Sequence, residues 1–280
     1  MGFLVRHAML ERTDIASFCH SGLPRGCISP IVVTQPGLES YPGIASGTGF
    51  FVRRERELYF LTALHTLEPK GTSLGFERTA QMLTIPFYIK TGTTRRDDDY
   101  VRFDRAIRLA EDPHHLSFVD VVSLKVMKEG KESHHKHLLS RAAKLPPTGQ
   151  WLDQVVKTDL VSKAMAANEP ITFVVIGYPN EGTATGIDYP DVLGALPEIT
   201  LQPAQFIGHL RPSSLDYCLK LEDISWTRNL AGFSGSPVFV QFKTSHGKQS
   251  ALAGMLVRGG EGTTHFIAIS TLVKAAGDRK

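Results

Sequence analysis

Short apolar runs, each closed by glycine, proline or a cluster of charge, dominate the hydrophobic pattern of the chain. In the first half they fall at residues 31–34 (Ile-Val-Val-Thr), 49–53 (Gly-Phe-Phe-Val-Arg) and 57–62 (Glu-Leu-Tyr-Phe-Leu-Thr). Runs of this length, rich in β-branched and aromatic residues, read as strands, with Arg53-Arg-Glu-Arg-Glu57 as a charged hairpin tip. Residues 82–90 predict another strand pair. Residues 118–125 predict an apolar strand interrupted by one carboxylate, Asp120. The second half opens with a buried strand at 171–179, closed by a Tyr-Pro turn. It continues with strand candidates at 199–201, 205–210, 217–220, 238–240, 250–257 and 265–269. Helical spacing is confined to 151–168, where Leu152, Val155, Val156, Leu160 and Val161 share a face, and to a short C-terminal stretch at 270–277. Many short strands without strand–helix alternation predict an all-β barrel or sandwich and not a parallel α/β sheet.

Composition narrows the function classes. A chain of 280 residues fits two small domains or one double unit, and 42% apolar with 21% charged residues excludes wholesale disorder. The formal charge of +3 makes no case for a nucleic-acid partner, and the basic segment 125–144 lacks interleaved aromatics. His134 and His137 lie three apart, but four zinc ligands are not in evidence. The mixed charges of 94–102 suit a solvated hairpin better than a calcium loop. No metal or organic cofactor is therefore expected. Three cysteines, Cys19, Cys27 and Cys218, make a poor disulfide framework, although the first two are close enough in sequence to close a short loop. The N-terminal residues lack the apolar core of a signal peptide, and no stretch of about 18 apolar residues is present. The expectation is a cytoplasmic protein without membrane contact.

The candidate chemistry lies in Gly232-Phe-Ser-Gly-Ser-Pro237. A serine between glycines, with proline closing the turn, bends the backbone tightly around one hydroxyl and can aim several N–H groups at one point. An acyl-transfer nucleophile needs such an arrangement, though the same residues also make an ordinary hairpin turn. Upstream, an apolar strand ends in Thr62-Ala-Leu-His65, and Asp120 interrupts another. The chain order is thus His65, Asp120, Ser234.

This order, together with Thr62-Ala-Leu-His65, Gly232-x-Ser234-Gly-x-Pro237 and Ser46-Gly-Thr-Gly-Phe50, resembles the trypsin/chymotrypsin-like serine protease family from about Ile31 to Thr271. The resemblance implies two packed six-stranded antiparallel β-barrels, with a helical connector and a short C-terminal helix. Residues 1–30 would be an N-terminal extension and 31–148 the first barrel, carrying His65 and Asp120. The connector would be 149–168 and the second barrel, carrying Ser234, 169–280. It further implies His65 as general base, Asp120 as the group that orients it, Ser234 as nucleophile, and the N–H groups of Gly232 and Ser234 as the oxyanion hole. Around the substrate pocket it points to Arg228, Val257, Arg258, Gly259 and His265, a set that favours an acidic side chain before the cleaved bond. The implied partners are a protein or peptide substrate and an activating protein partner.

One departure stands out. Phe233 occupies the position where digestive members carry an aspartate that pairs with a newly cut N-terminus, so activation by N-terminal insertion is not expected. The alternative from another class is a catalytically silent, protease-like module that binds peptides or a protein.

Overall fold

A computed structural model of the chain describes residues 17–33, 43–68, 76–83, 85–86, 100–110, 118–128, 132–148, 152, 172–181, 186–188, 198–200, 202–211, 213–215, 217–244, 247–260 and 262–277. The fold is mostly β-sheet. In the first half lie β1 (His20–Ser21), β2 (Ile28–Val33), β3 (Gly43–Arg54), β4 (Glu57–Thr62), β5 (Ile85–Pro86), β6 (Tyr100–Val101), β7 (Phe103–Ala110), β8 (Phe118–Val126) and β9 (Ala143–Lys144). The second half supplies β10 (Thr172–Gly177), β11 (Gly186–Asp188), β12 (Glu198–Thr200), β13 (Ala204–Arg211), β14 (Cys218–Glu222), β15 (Pro237–Thr244), β16 (Gly247–Gly260) and β17 (Thr263–Ala268). The helices are α1 (Leu64–Leu67), α2 (Phe76–Gln81), α3 (Glu132–Arg141) and α4 (Ile269–Ala275).

Two sheets carry the architecture. One runs β2-β3-β4-β8-β7, with β9 added in parallel to β3. The other runs β1-β16-β15-β10-β13-β14-β17, and in it β16 pairs with β17 as well as with β15. Apart from β9, the pairings in both are antiparallel.

The central strands of the first sheet are apolar on both faces because each face has its own core. Leu58 and Phe60 of β4 and Val122, Leu124 and Val126 of β8 enter one buried cluster, which α3 closes with Leu138. Their alternates Tyr59, Leu61, Val119 and Val121 join the larger cluster, built from Phe173, Phe206, Phe239 and Phe266 of the other sheet. Strand alternation thus turns one sheet into a shared wall between two cores. Prolines obey the same logic. Pro30 lies in β2, which ends the first sheet's order, and Pro237 is the first residue of β15, where a missing N–H is tolerated.

The expected strands at 31–34, 49–53 and 57–62 correspond to β2, β3 and β4, and the charged tip is a turn in which Glu55 takes φ +55°. Two features differ from expectation. Residues 132–141, within the basic segment and outside the stretches of helical spacing, form α3. β7, half-exposed and without clear alternation, was not expected; of the strand pair expected at 82–90, β5 is a strand that pairs with β6, and residues 84 and 87–90 lie outside the described residues. Most of the expected connector at 151–168, the charged stretch 94–99 and residues 1–16 lie outside the described residues.

The N-terminal segment is integrated on both sides. β1 pairs with β16 and β2 with β3, so residues 20–33 strap the two sheets together. His20 Nε2 accepts the Lys144 N–H at 3.0 Å, and Lys144 Nζ donates to the Cys19 carbonyl at 3.0 Å. Burial, with Lys144 and Arg53 nearby, lowers the pKa of His20 to about 4. All three cysteines are free thiols.

Candidate active site

β4 ends at Thr62, Ala63 stays extended, and the single turn α1 lifts His65 to the surface. Asp120 lies in β8, whose Val122 pairs with Thr62. This register brings the carboxylate under the imidazole. His65 Nδ1 lies 2.7 Å from Asp120 Oδ2, and the His65 backbone N–H donates to Oδ1 at 3.0 Å. An ionised carboxylate only accepts, so Nδ1 carries a proton, and in the neutral ring Nε2 is then the acceptor. The His65 side chain is 47% exposed.

The Ser234 turn comes from a distant part of the chain and is fastened to the same strand ends. Thr48 of β3 is the fastener. Its hydroxyl donates to the Gly232 carbonyl and accepts the Tyr178 N–H, both at 2.8 Å, and its own N–H donates to the Ser234 carbonyl at 2.8 Å. Thr62 Oγ1 in turn donates to the Thr48 carbonyl at 2.8 Å. Gly235 packs so tightly here that a Cβ would overlap the Thr48 carbonyl oxygen and lie 3.0 Å from the Ala63 nitrogen. Its φ of +84° is a second reason for glycine. The turn therefore rests two residues from His65. Among the described residues no hydrogen bond joins Ser234 Oγ to His65, a contact that is often long before substrate binds.

The backbone of this turn is almost fully committed. The Phe233, Gly235 and Ser236 N–H groups donate to the carbonyls of Leu230, Leu256 and Phe233, at 3.0, 2.8 and 2.9 Å. Ala231 C=O accepts the Asn180 N–H at 2.8 Å, and a trans peptide then turns the Gly232 N–H the other way. The Phe233 carbonyl, occupied by Ser236, likewise directs the Ser234 N–H away from that bond. Gly232 and Ser234 are left as the two N–H groups between 232 and 236 with no acceptor among the described residues. Gly232, at φ +93°, has no room for a Cβ against the Tyr178 carbonyl.

Phe233 is fully buried beneath the turn, edge-on to Phe206 at 5.0 Å and to Trp226 at 5.1 Å. Trp226 Nε1 donates to the Asn229 carbonyl at 3.0 Å, which braces the preceding loop. Ser236 is also fully buried, and its Oγ has no hydrogen-bond partner among the described residues.

The residues expected around one substrate pocket are divided between two faces. Arg258 pairs with His265 across β16 and β17, and Gly259 pairs with Thr264. Successive residues of a strand point to opposite faces, so Arg258 and His265 share one face while Gly259 lies over the buried Thr264 on the other. Leu230 fills the space in front of Gly259. Val257 is buried in the irregularity between Leu256 and Arg258. Arg228 is exposed, with no ion pair to Glu222 among the described residues; Glu222 instead pairs with Lys220 and Arg211.

Sequence reasoning missed Thr48 and Asn180 as parts of the site. The signal for Thr48 was present, since Gly47 and Gly49 flank it. A Cβ at Gly49 would overlap Phe60, and one at Gly47 would press on Thr66. Among the described residues there is no cluster of three or more groups suited to a metal ion, and no helix long and apolar enough to cross a membrane. No protein-family model matches the chain, and no curated protein matches it.

Proposed function

We propose that the protein is a serine endopeptidase with a chymotrypsin-like arrangement of two packed six-stranded barrels, acting on a protein or peptide substrate through Ser234, His65 and Asp120. The observation that carries this reading is the junction itself. The Ser234 turn and the His65–Asp120 couple come from distant parts of the chain, yet Thr48 bonds to Gly232, 184 residues away, and Thr62 bonds to Thr48.

In the proposed reaction His65 Nε2 takes the Ser234 proton as Oγ attacks the scissile carbonyl carbon. Asp120 holds the tautomer and stabilises the imidazolium. The carbonyl oxygen gains negative charge and receives the Gly232 and Ser234 N–H groups. Losing one such donor in a related site costs on the order of 3 kcal/mol. The imidazolium then protonates the leaving amine, and water, activated by the same His65, releases the acyl group from Ser234. The buried Phe233 offers no carboxylate to a new N-terminus, which supports control by a partner in place of trypsin-type clipping. Three free thiols support a reducing compartment.

A fluorophosphonate probe tests this reading directly. Wild type is expected to label covalently, with labelling lost in Ser234→Ala and in His65→Ala. A wild type that stays unlabelled, alone and with candidate partners, would favour a silent peptide-binding module.

A further inference from the structure

Strand register places four nitrogen side chains in one line. Arg211 of β13 lies opposite Lys220 of β14, Lys220 opposite His265 of β17, and His265 opposite Arg258 of β16. Residues directly opposite on neighbouring strands project from the same face, and three strand spacings of about 4.8 Å make a row roughly 14 Å long. Arg211 and Lys220, fixed like charges directly opposite one another, oppose folding unless an anion intervenes. One carboxylate does so: Glu222 takes Lys220 Nζ at 2.6 Å and Arg211 Nε at 3.4 Å. Arg258 is exposed and has no ion pair among the described residues. It stands two residues beyond Leu256, which exchanges backbone hydrogen bonds with Gly235 and Ser236 of the serine turn. His265 is driven toward its neutral form by burial first, then by Lys220 and Arg258, leaving the fixed cations to define the field.

We propose that Arg211, Lys220, His265 and Arg258 form a subsite for the acidic stretch of a peptide, running along the sheet from the Ser234 turn, with Arg258 as its anchor. The inference rests on the proposed peptidase reading for its substrate role. It moves acid recognition out of the pocket beside Gly259, which Leu230 fills, onto the opposite face of the same strands. A row of this length suits two or more carboxylates of an extended chain, since alternate side chains on one face of a strand are about 6.8 Å apart. The Arg258 guanidinium would hold one carboxylate in a bidentate pair. Lys220 would divide its donors between Glu222 and a second carboxylate.

The test uses Ser234→Ala protein and two short fluorescein-labelled peptides that differ only in Glu against Gln at alternate positions, read by anisotropy. The Glu peptide is expected to bind about tenfold or more tightly than the Gln peptide at low salt, and the advantage is expected to shrink at high salt. Adding Arg258→Ala should remove most of the advantage and Arg258→Glu should abolish it, with unchanged circular dichroism confirming the fold. Arg54→Ala, on β3, serves as a charge-matched control and should leave binding unaltered. Equal binding of the two peptides, binding of neither, or an advantage that Arg258→Glu leaves intact would overturn the proposal. Fluorophosphonate labelling of wild type is scored separately. Acid-selective binding without labelling refutes the peptidase reading alone, and labelling without acid selectivity refutes the subsite alone.

Discussion

Replacing Thr48 by valine probes the junction with almost no change of shape. Thr48 is fully buried, and its hydroxyl is the partner of two backbone groups, the Gly232 carbonyl and the Tyr178 N–H, each at 2.8 Å. Valine leaves both groups in place, buried and unpaired. Stranding a buried polar group costs about 1–3 kcal/mol, so the pair predicts a loss of about 2–6 kcal/mol. Thr48→Ser keeps the hydroxyl and removes one methyl group, which predicts about 1 kcal/mol. Urea unfolding, followed by tryptophan fluorescence, compares the three proteins, and the order of midpoints should be wild type, Ser, then Val well below. Because the freed carbonyl no longer fixes the turn carrying Ser234, fluorophosphonate labelling of the folded Val variant should also slow by on the order of tenfold or more. A Val variant as stable as the Ser variant, or one that labels at the wild-type rate, would refute the claim that this hydroxyl fastens the turn to β3.

Three further outcomes follow from the geometry. Asp120→Asn would accept the His65 backbone N–H through Oδ1 while its amide donates to Nδ1, which moves the ring proton to Nε2; labelling should fall roughly 10⁴-fold with stability little changed. Phe233→Ala empties a fully buried site between two rings and should cost about 3–5 kcal/mol by denaturant unfolding, whereas Phe233→Leu should cost less than half of that. The His20 pKa of about 4 lies below its ordinary 6.5, so its contribution to stability is fully present above pH 6.5 and is lost as pH falls toward 4; the limit is about 3 kcal/mol, reduced to about 2 by solvent reaching the ring, and His20→Gln should flatten this part of the stability–pH curve.

The parts of the fold legible in the sequence are those where one local rule decides the structure. Strands β4, β8 and β10 are dense in β-branched and aromatic residues because both faces are buried, and such runs are readable without an alignment. The Gly-x-Ser-Gly turn is readable because φ near +90° at Gly232 and Gly235 needs glycine. β7 was not legible, since its residues are half exposed and carry no clear alternation. α3 was obscured by a polar sequence whose one fully buried apolar residue is Leu138, so tertiary docking and not periodicity sustains it. The division of Arg258 and His265 from Gly259 could not be seen from spacing along the chain. It depends on a register shift between Leu256 and Arg258, and a slip of one residue exchanges the faces.

The two halves of the proposed machinery differ in how they tolerate change, and the difference has a physical origin. Groups that join the serine turn to β3 and β4 are buried, mutually hydrogen-bonded and packed against glycines without room for a Cβ, so a change there strands a polar group or forces a clash. The chain closes this junction over long loops, but the entropic cost of closure grows only slowly with loop length. By contrast, Arg211 and Arg258 of the cationic row project into solvent, where a substitution alters the field without disturbing the core. On the proposed reading, selectivity would be retuned by surface charge on β13, β14, β16 and β17. Any change to Thr48, Gly232 or Gly235 should move stability and labelling together.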